Sequence, residues 1–482
     1  MRQQPICPRV PRDYPASVRH SKLRYSSLHR LLVIVPLITG LVIAGSAIGC
    51  GRDDPAKDPP STLTGVDISV VSPRNVRIRW QPLEGGQVVI RRAVPGEEFL
   101  EVGRKASTHG RFLDLALEPL GSYAYQLVMC RDDSCEAPFE SEVVSTPESA
   151  FAAFDITVPS ENPDDAVAIF GVYRVSPELF REGHMGAVDR AGNVLWEYVT
   201  DEWGPITEVQ PLPDGTIATG QFMYLVQIDL DGTELFRWSE TTARHDIQKL
   251  PDGRWAFLRF DPFEHDGFLF MGDGISVLNR EGTAVEWQWM ARDYIDLADR
   301  NEEDFAITEF ANARDWTHSN AFTFTDDASK VFLNVRNLNR IYKIDVKSKG
   351  IDWIMGDGGD FGAGIWDHSH APQFLSKDRV LIFDNGYRRE PPKYSRVIEV
   401  QFDPEKLQAE VVWEYRETPD FYSFALGGAE MKPNGNVFIT DGTNGRLLEV
   451  TRDHKRVWEL KLRYEYWTYK AVTVPLSFFT DW

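Results

Sequence analysis

Basic residues are in deficit in this chain: 52 Lys+Arg stand against 73 Asp+Glu over 482 residues, a formal charge of −21. That deficit excludes nucleic-acid binding, which needs a basic footprint. Long Ala/Leu/Glu/Lys-rich stretches are also missing, while 36 Gly and 29 Pro supply many turns. Both point away from a helical protein. Histidine (ten) and cysteine (four) are scarce enough to be read one at a time. The Gly-rich segment Gly356-Asp357-Gly358-Gly359-Asp360-Phe361-Gly362 is acidic and lacks a P-loop lysine, so it is no phosphate cradle. What is present is a 42% apolar fraction with 12% aromatics, enough for a large core and incompatible with wholesale disorder. The composition reads as all-β.

The first fifty residues differ from the rest. Residues 1–30 hold seven Lys/Arg and one Asp, and Leu31 to Gly49 is uncharged and mostly apolar. The run ends Ala47-Ile48-Gly49-Cys50 before a polar, Pro-rich tether over 51–62. This is the layout of a secretory signal, with 1–50 as a lipoprotein-type signal peptide. The cysteine at its end resembles a bacterial lipobox, in which Cys50 carries lipid and becomes the mature N-terminus. The expectation is an exported bacterial lipoprotein, anchored through Cys50 to a membrane of the cell envelope, on its periplasmic or surface face. An uncleaved anchor helix is the alternative, since the run approaches bilayer length. Removing 1–50 leaves a body more acidic than the whole chain. In an oxidising compartment Cys130 and Cys135 are expected to form a disulfide closing a tight hairpin.

Residues 63–148 carry short alternating runs, among them Val76-Arg77-Ile78-Arg79-Trp80, Val88-Val89-Ile90-Arg91-Arg92 and Tyr123-Ala124-Tyr125-Gln126-Leu127-Val128. These predict a small β-sandwich that resembles a fibronectin type III domain. From 152 to 482 one unit recurs, an Asp/Gly turn followed by a strand ending in tryptophan. Its markers are Trp196, Trp238, Trp287, Trp353, Trp413 and Trp458. A second element, as in Gln210-Pro211-Leu212-Pro213-Asp214-Gly215 and Gln248-Lys249-Leu250-Pro251-Asp252-Gly253, alternates with it. Four short strands in each of six units predict a six-bladed β-propeller. The stretch Tyr469 to Val474 is a first strand without partners, and pairing it with the start of the propeller completes the sixth blade. Asp214, Asp231 and Asp252 fit turn chemistry.

Three histidine-bearing segments fall at one place in the repeat. His245, Asn320 and His370 occupy nearly the same position before the turn, and His318 and His368 lie two residues earlier. Equivalent positions on the first strands of different blades converge near the propeller axis. Residues two apart on a strand point the same way, so each pair is expected to face the channel. Arg336, on the next strand of the blade that carries His318, adds a fixed cation.

His245-Asp246, Trp316-Thr317-His318-Ser319-Asn320, Arg336, and Ser369-His370-Ala371 followed by Ile382-Phe383-Asp384-Asn385-Gly386 resemble the bacterial arylsulfate sulfotransferases. So do Ser395-Arg396-Val397-Ile398-Glu399-Val400 and Trp413-Glu414-Tyr415, and the resemblance covers about 150 to 482. It implies nucleotide-independent, ping-pong transfer of a sulfuryl group from an aryl sulfate donor to a phenolic acceptor, with no cofactor. By match His370 is the nucleophile. His318, Asn320, Arg336 and His245 surround the sulfuryl oxygens or the leaving oxygen. Imidazole suits the task because it both attacks and leaves readily, and Arg supplies a permanent charge with forked donors.

Two other readings remain open on the sequence. His245, His318, His368 and His370 offer nitrogen ligands for Zn or Cu, against which Arg336 and Asn320 argue. A non-enzymatic surface binding protein, using the propeller face and the sandwich, is the other.

Overall fold

A computed structural model describes residues 62–482 apart from short internal segments, the longest being 175–182 and 301–308. The expected leader and the lipid site Cys50 lie outside the described residues.

Alternation builds the small N-terminal unit. Val76, Ile78 and Trp80 point one way from their strand, Val88 and Ile90 from theirs, and Tyr123, Tyr125, Leu127 and Met129 from a third. These residues meet between two antiparallel sheets. One orders Asp67–Ser72, Asn75–Arg79 and Arg111–Asp114; the other centres on Gln87–Ala93 between Leu100–Ala106 and Ser122–Arg131. The buried polar tips are answered: Trp80 Nε1 donates to Ser107 O at 2.9 Å and Tyr125 Oη to Asp114 at 2.8 Å. Cys130 and Cys135 sit opposite one another across the hairpin, with their sulfurs 2.10 Å apart.

The rest of the chain is a six-bladed β-propeller. Four blades are continuous in sequence; their first strands are Ile206–Pro211, Ala243–Lys249, Ser319–Phe324 and His370–Ser376. The fifth runs from Gly428–Met431 to Arg456–Leu462 and takes Phe154–Val158 as an extra outer strand. The sixth is shared between the two ends of the propeller. Ala471–Pro475 supplies its first strand and pairs with Ala166–Arg174, which leads on to Gly183–Val188 and Val194–Thr200. This is the pairing that the unpartnered C-terminal strand called for.

Among the described residues neighbouring blades share no ladder, and side chains bridge them. On the axis Gln210 accepts the backbone N–H of Lys249, Gln248 that of Phe324, Gln373 that of Met431 and Glu430 that of Thr473, at 2.8–3.0 Å. Asn320 Nδ2 joins the third blade to Ser369 O of the fourth, and Lys470 joins the sixth to Glu208 of the first. Each satisfies a main-chain group or a charge at the seam between two blades. At the periphery the tryptophan markers do the equivalent. The indole N–H of Trp196, Trp287, Trp413 and Trp458 donates to Leu230 O, Val346 O, Arg452 O and Arg190 O of the following blade. Trp238 and Trp353 hold the same place without that bond. The three aspartates expected in turns are there: Asp214, Asp231 and Asp252 each accept the N–H two residues on.

The sandwich packs where the closing blade meets the first blade. Arg77 and Arg79 both reach Asp231, Arg111 reaches Asp229, and Arg74 reaches Glu197. Trp482 lies at this junction. Its N–H donates to Asp229, Arg111 covers its ring at 4.4 Å, and it shares a core with Leu113, Trp196 and Phe479. Trp482→Ala should therefore cost about 3–5 kcal/mol, as for other buried aromatics. A denaturant titration reads this directly, and an unchanged midpoint would disprove the anchoring role.

Candidate functional site

The inner strands are irregular where the histidines stand. Strand register breaks between Arg244 and Ile247, between Ser319 and Ala321, and between His370 and Gln373. The backbone is left-handed at His245 (φ 55°), His318 (φ 45°), His368 (φ 55°) and Ala371 (φ 43°). Bulges re-aim side chains, and histidine is among the residues that tolerate positive φ. Period-two alternation therefore does not govern these positions, contrary to the expected paired facing. His318 and His368 precede their strands, and each takes its own path.

His370 is held at both nitrogens. Its Nδ1 lies 2.7 Å from Asn385 Oδ1, and Asn385 Nδ2 donates to Ser423 O and Leu426 O. The Asn385 oxygen is thus the atom turned to His370, and it can only accept. The imidazole proton sits on Nδ1, and Nε2 carries the lone pair. The Leu426 N–H meets that lone pair at a long 3.3 Å. Asn385 was part of the sequence motif, but nothing in the sequence told what it does.

His318 bonds through Nδ1 to Asp315, and its ring is one-quarter exposed. Arg336 opens a short turn directly after its strand. Its guanidinium bonds to Asn337 and covers Tyr387 at 5.4 Å. Asn320 turns one N–H to Ser369 O and its oxygen to Asn334. It thereby holds the peptide before His370. His368 is fully buried, bonded to Asp367 at 2.6 Å and packed on Tyr387.

His245 brings two residues that sequence reasoning missed. Its ring centroid is 5.3 Å from that of His318 and 5.6 Å from that of Tyr469, whose ring is in turn 6.3 Å from His370. Tyr469 Oη lies 2.9 Å from His245 Nδ1, and Arg244 contacts His245 Nε2. Arg244 is itself fixed by Asp273 at 3.1 Å and by the face of Phe260. Asp273 also accepts Thr317 Oγ1 and Ser319 N, both at 2.6 Å. A signal for Tyr469 existed. It immediately precedes Lys470, which faces Glu208, as His245 precedes Asp246, so counting the closing strand like the others puts it in the histidine layer.

Burial and fixed cations keep the imidazoles of His370, His318 and His245 neutral. His370 is held well below its ordinary value by burial and then by Arg336, with the Asn385 bond pulling the other way. His318 and His245 are lowered by burial and then by Arg244. Burial raises Asp315 and Asp273, against the pull of Arg244. The layer is therefore neutral imidazole beside two guanidiniums, an environment for an anion. Among the described residues no group of three His, Cys, Asp or Glu is arranged to hold a metal ion. Two guanidiniums beside the imidazoles repel a cation.

Beyond the histidine layer the axis holds a cavity of about 310 Å³, lined by Glu208, Asp246, Glu430 and Lys470 among others. Burial and then the neighbouring Glu208 push Asp246 up to about 8, against Lys470. The folded chain therefore keeps a proton that the unfolded chain releases from about pH 4 upward. This contribution to stability is complete below that pH and is lost as pH rises through about 8. Asp246→Asn keeps an acceptor for Phe322 N–H and removes the ionisation. Its melting temperature should fall less steeply between about pH 6 and 9 than that of the unsubstituted protein; parallel curves would contradict the assignment.

A profile of the Arylsulfotransferase (ASST) family matches residues 168–470. No curated protein matches. Among solved structures, a protein of unknown function from Bacteroides caccae is 12% identical, covering 65% of this chain and 99% of its own, with a TM-score of 0.44. A catalytically inactive virginiamycin B lyase from Staphylococcus aureus, with quinupristin, is 11% identical over 63% of this chain and 87% of its own, with a TM-score of 0.36. A putative 6-phosphogluconolactonase from Bacteroides fragilis is 9% identical over 82% and 100%, with a TM-score of 0.37. At these similarities none bears on function. The profile spans most of the chain and encloses the whole histidine layer, and on that match the chain belongs to the arylsulfotransferase family.

Proposed function

We propose that this chain transfers a sulfuryl group from an aryl sulfate to a phenol by a ping-pong route through sulfo-His370. The observation that carries the reading is the Asn385–His370 bond, which leaves a neutral imidazole with its Nε2 lone pair turned away from its anchor. In the first step Nε2 attacks sulfur, the S–O bond to the aryl group breaks, and the electron pair leaves with the phenolate. In the second step the acceptor oxygen attacks sulfur, the N–S bond breaks, and imidazole is regenerated. His318, backed by Asp315, takes the proton of the incoming phenol and passes it to solvent, while the aryl oxygen of the donor leaves as phenolate. Arg336 balances charge that spreads over the sulfuryl oxygens, as in phosphoryl transfer. Asn320 keeps the Ser369 carbonyl, and so His370, in place.

We further read the sandwich as fibronectin type III-like and the body as exported and lipid-anchored through Cys50. Palmitate labelling that disappears in Cys50→Ala tests the anchor.

His370→Ala should abolish phenol release from 4-nitrophenyl sulfate. Intact-mass analysis of the unsubstituted protein mixed with donor alone should show one added sulfuryl group, absent from the variant. Turnover by the variant would end the reading. The lowered His370 pKa adds a pH expectation: kcat/KM should hold steady from about pH 7 to 6, because the nucleophile is already neutral there. A loss centred near the ordinary histidine value would contradict it.

A further inference from the structure

The contacts of His245 fix the hydrogen-bond polarity around it. A guanidinium has donors only, so His245 Nε2, in contact with Arg244, accepts. The ring is neutral, for the reasons of burial and neighbouring charge given above, and carries one proton. That proton is on Nδ1. Nδ1 faces Tyr469 Oη at 2.9 Å, so the imidazole donates and the phenol oxygen accepts. The Tyr469 hydroxyl proton is consequently not used on His245. Tyr469 is buried, and among the described residues its hydroxyl has no other bond. Burial keeps it protonated, since its pKa lies well above the ordinary value. Its ring stands between those of His245 and His370, 5.6 and 6.3 Å away.

We propose that Tyr469 is a further catalytic residue of the transfer, donating its hydroxyl hydrogen bond to the aryl oxygen that leaves or attacks sulfur, and that His245 and Arg244 are the positioning residues that aim it. This rests on sulfuryl transfer at His370 and reassigns His245, whose two nitrogens are both occupied, from direct contact with the transferred group. No net proton moves to or from Tyr469. The bond strengthens as negative charge develops on the aryl oxygen and weakens as the S–O bond forms in the reverse sense. Arg336 and His318 are left to the sulfuryl oxygens and to the proton of the acceptor.

The test is the dependence of kcat/KM on the leaving group, across phenyl sulfates of graded phenol acidity. Tyr469→Phe should lose about 10²-fold on phenyl sulfate, whose leaving oxygen gathers most charge, and much less on 4-nitrophenyl sulfate. The slope against phenol pKa therefore steepens. His245→Ala should steepen it too. His245→Asn, which restores an N–H facing Tyr469, should return the slope toward that of the unsubstituted protein. The double variant Tyr469→Phe, His245→Ala should lose little beyond either single change. Thermal unfolding confirms that each variant is folded. An equal loss on every donor, with an unchanged slope, overturns the role of Tyr469 while leaving transfer at His370 intact. Absence of donor turnover and of sulfo-protein from the unsubstituted chain overturns both together.

Discussion

The buried pair of Arg244 and Asp273 is the interaction on which the axis depends. Asp273 is fully enclosed and collects Arg244, Thr317 and the Ser319 amide, so it ties the second blade to the segment that delivers His318. Arg244 in turn sets the tautomer of His245 and lowers both His245 and His318. A buried ion pair is weak evidence for stability, because desolvation opposes the Coulombic gain. Here it orders the layer, since removing either partner leaves an uncompensated charge among imidazoles that must stay neutral.

The same economy runs through the ring. Blades that share no ladder are joined by side chains that accept the next blade's N–H on the axis and by indoles that donate to its turn carbonyl outside. The axial belt and the histidine layer lie on the same strands. A distortion that closes or opens a blade is therefore felt at the imidazoles within a residue or two. The sandwich bears on the first blade through Asp229 and Asp231 and on the closing blade through Glu197, which places it beside the blade where the two ends of the propeller meet.

Much of this was legible beforehand. The tryptophan markers, the Asp turns and the unpartnered final strand are local or periodic features, and periodicity survives in one dimension. The register of His245, Asn320 and His370 was legible for the same reason. The facing of His318 and His368 was not, because bulges and left-handed backbone override alternation. The part played by Asn385 was hidden as well: which end of an amide faces a neighbour is decided by what its other end bonds to.

The sequence by itself determined an all-β chain of six tryptophan-marked units with histidines on a common level, since each of those rests on composition or spacing. Only the tertiary structure decided which groups meet there. Tyr469 and His245 are 224 residues apart, Arg244 and Asp273 are 29 apart, and His370 and Asn385 are 15 apart. No spacing rule links such pairs. They become neighbours because ring closure brings the last strand beside the first blades, and their protonation follows from that enclosure.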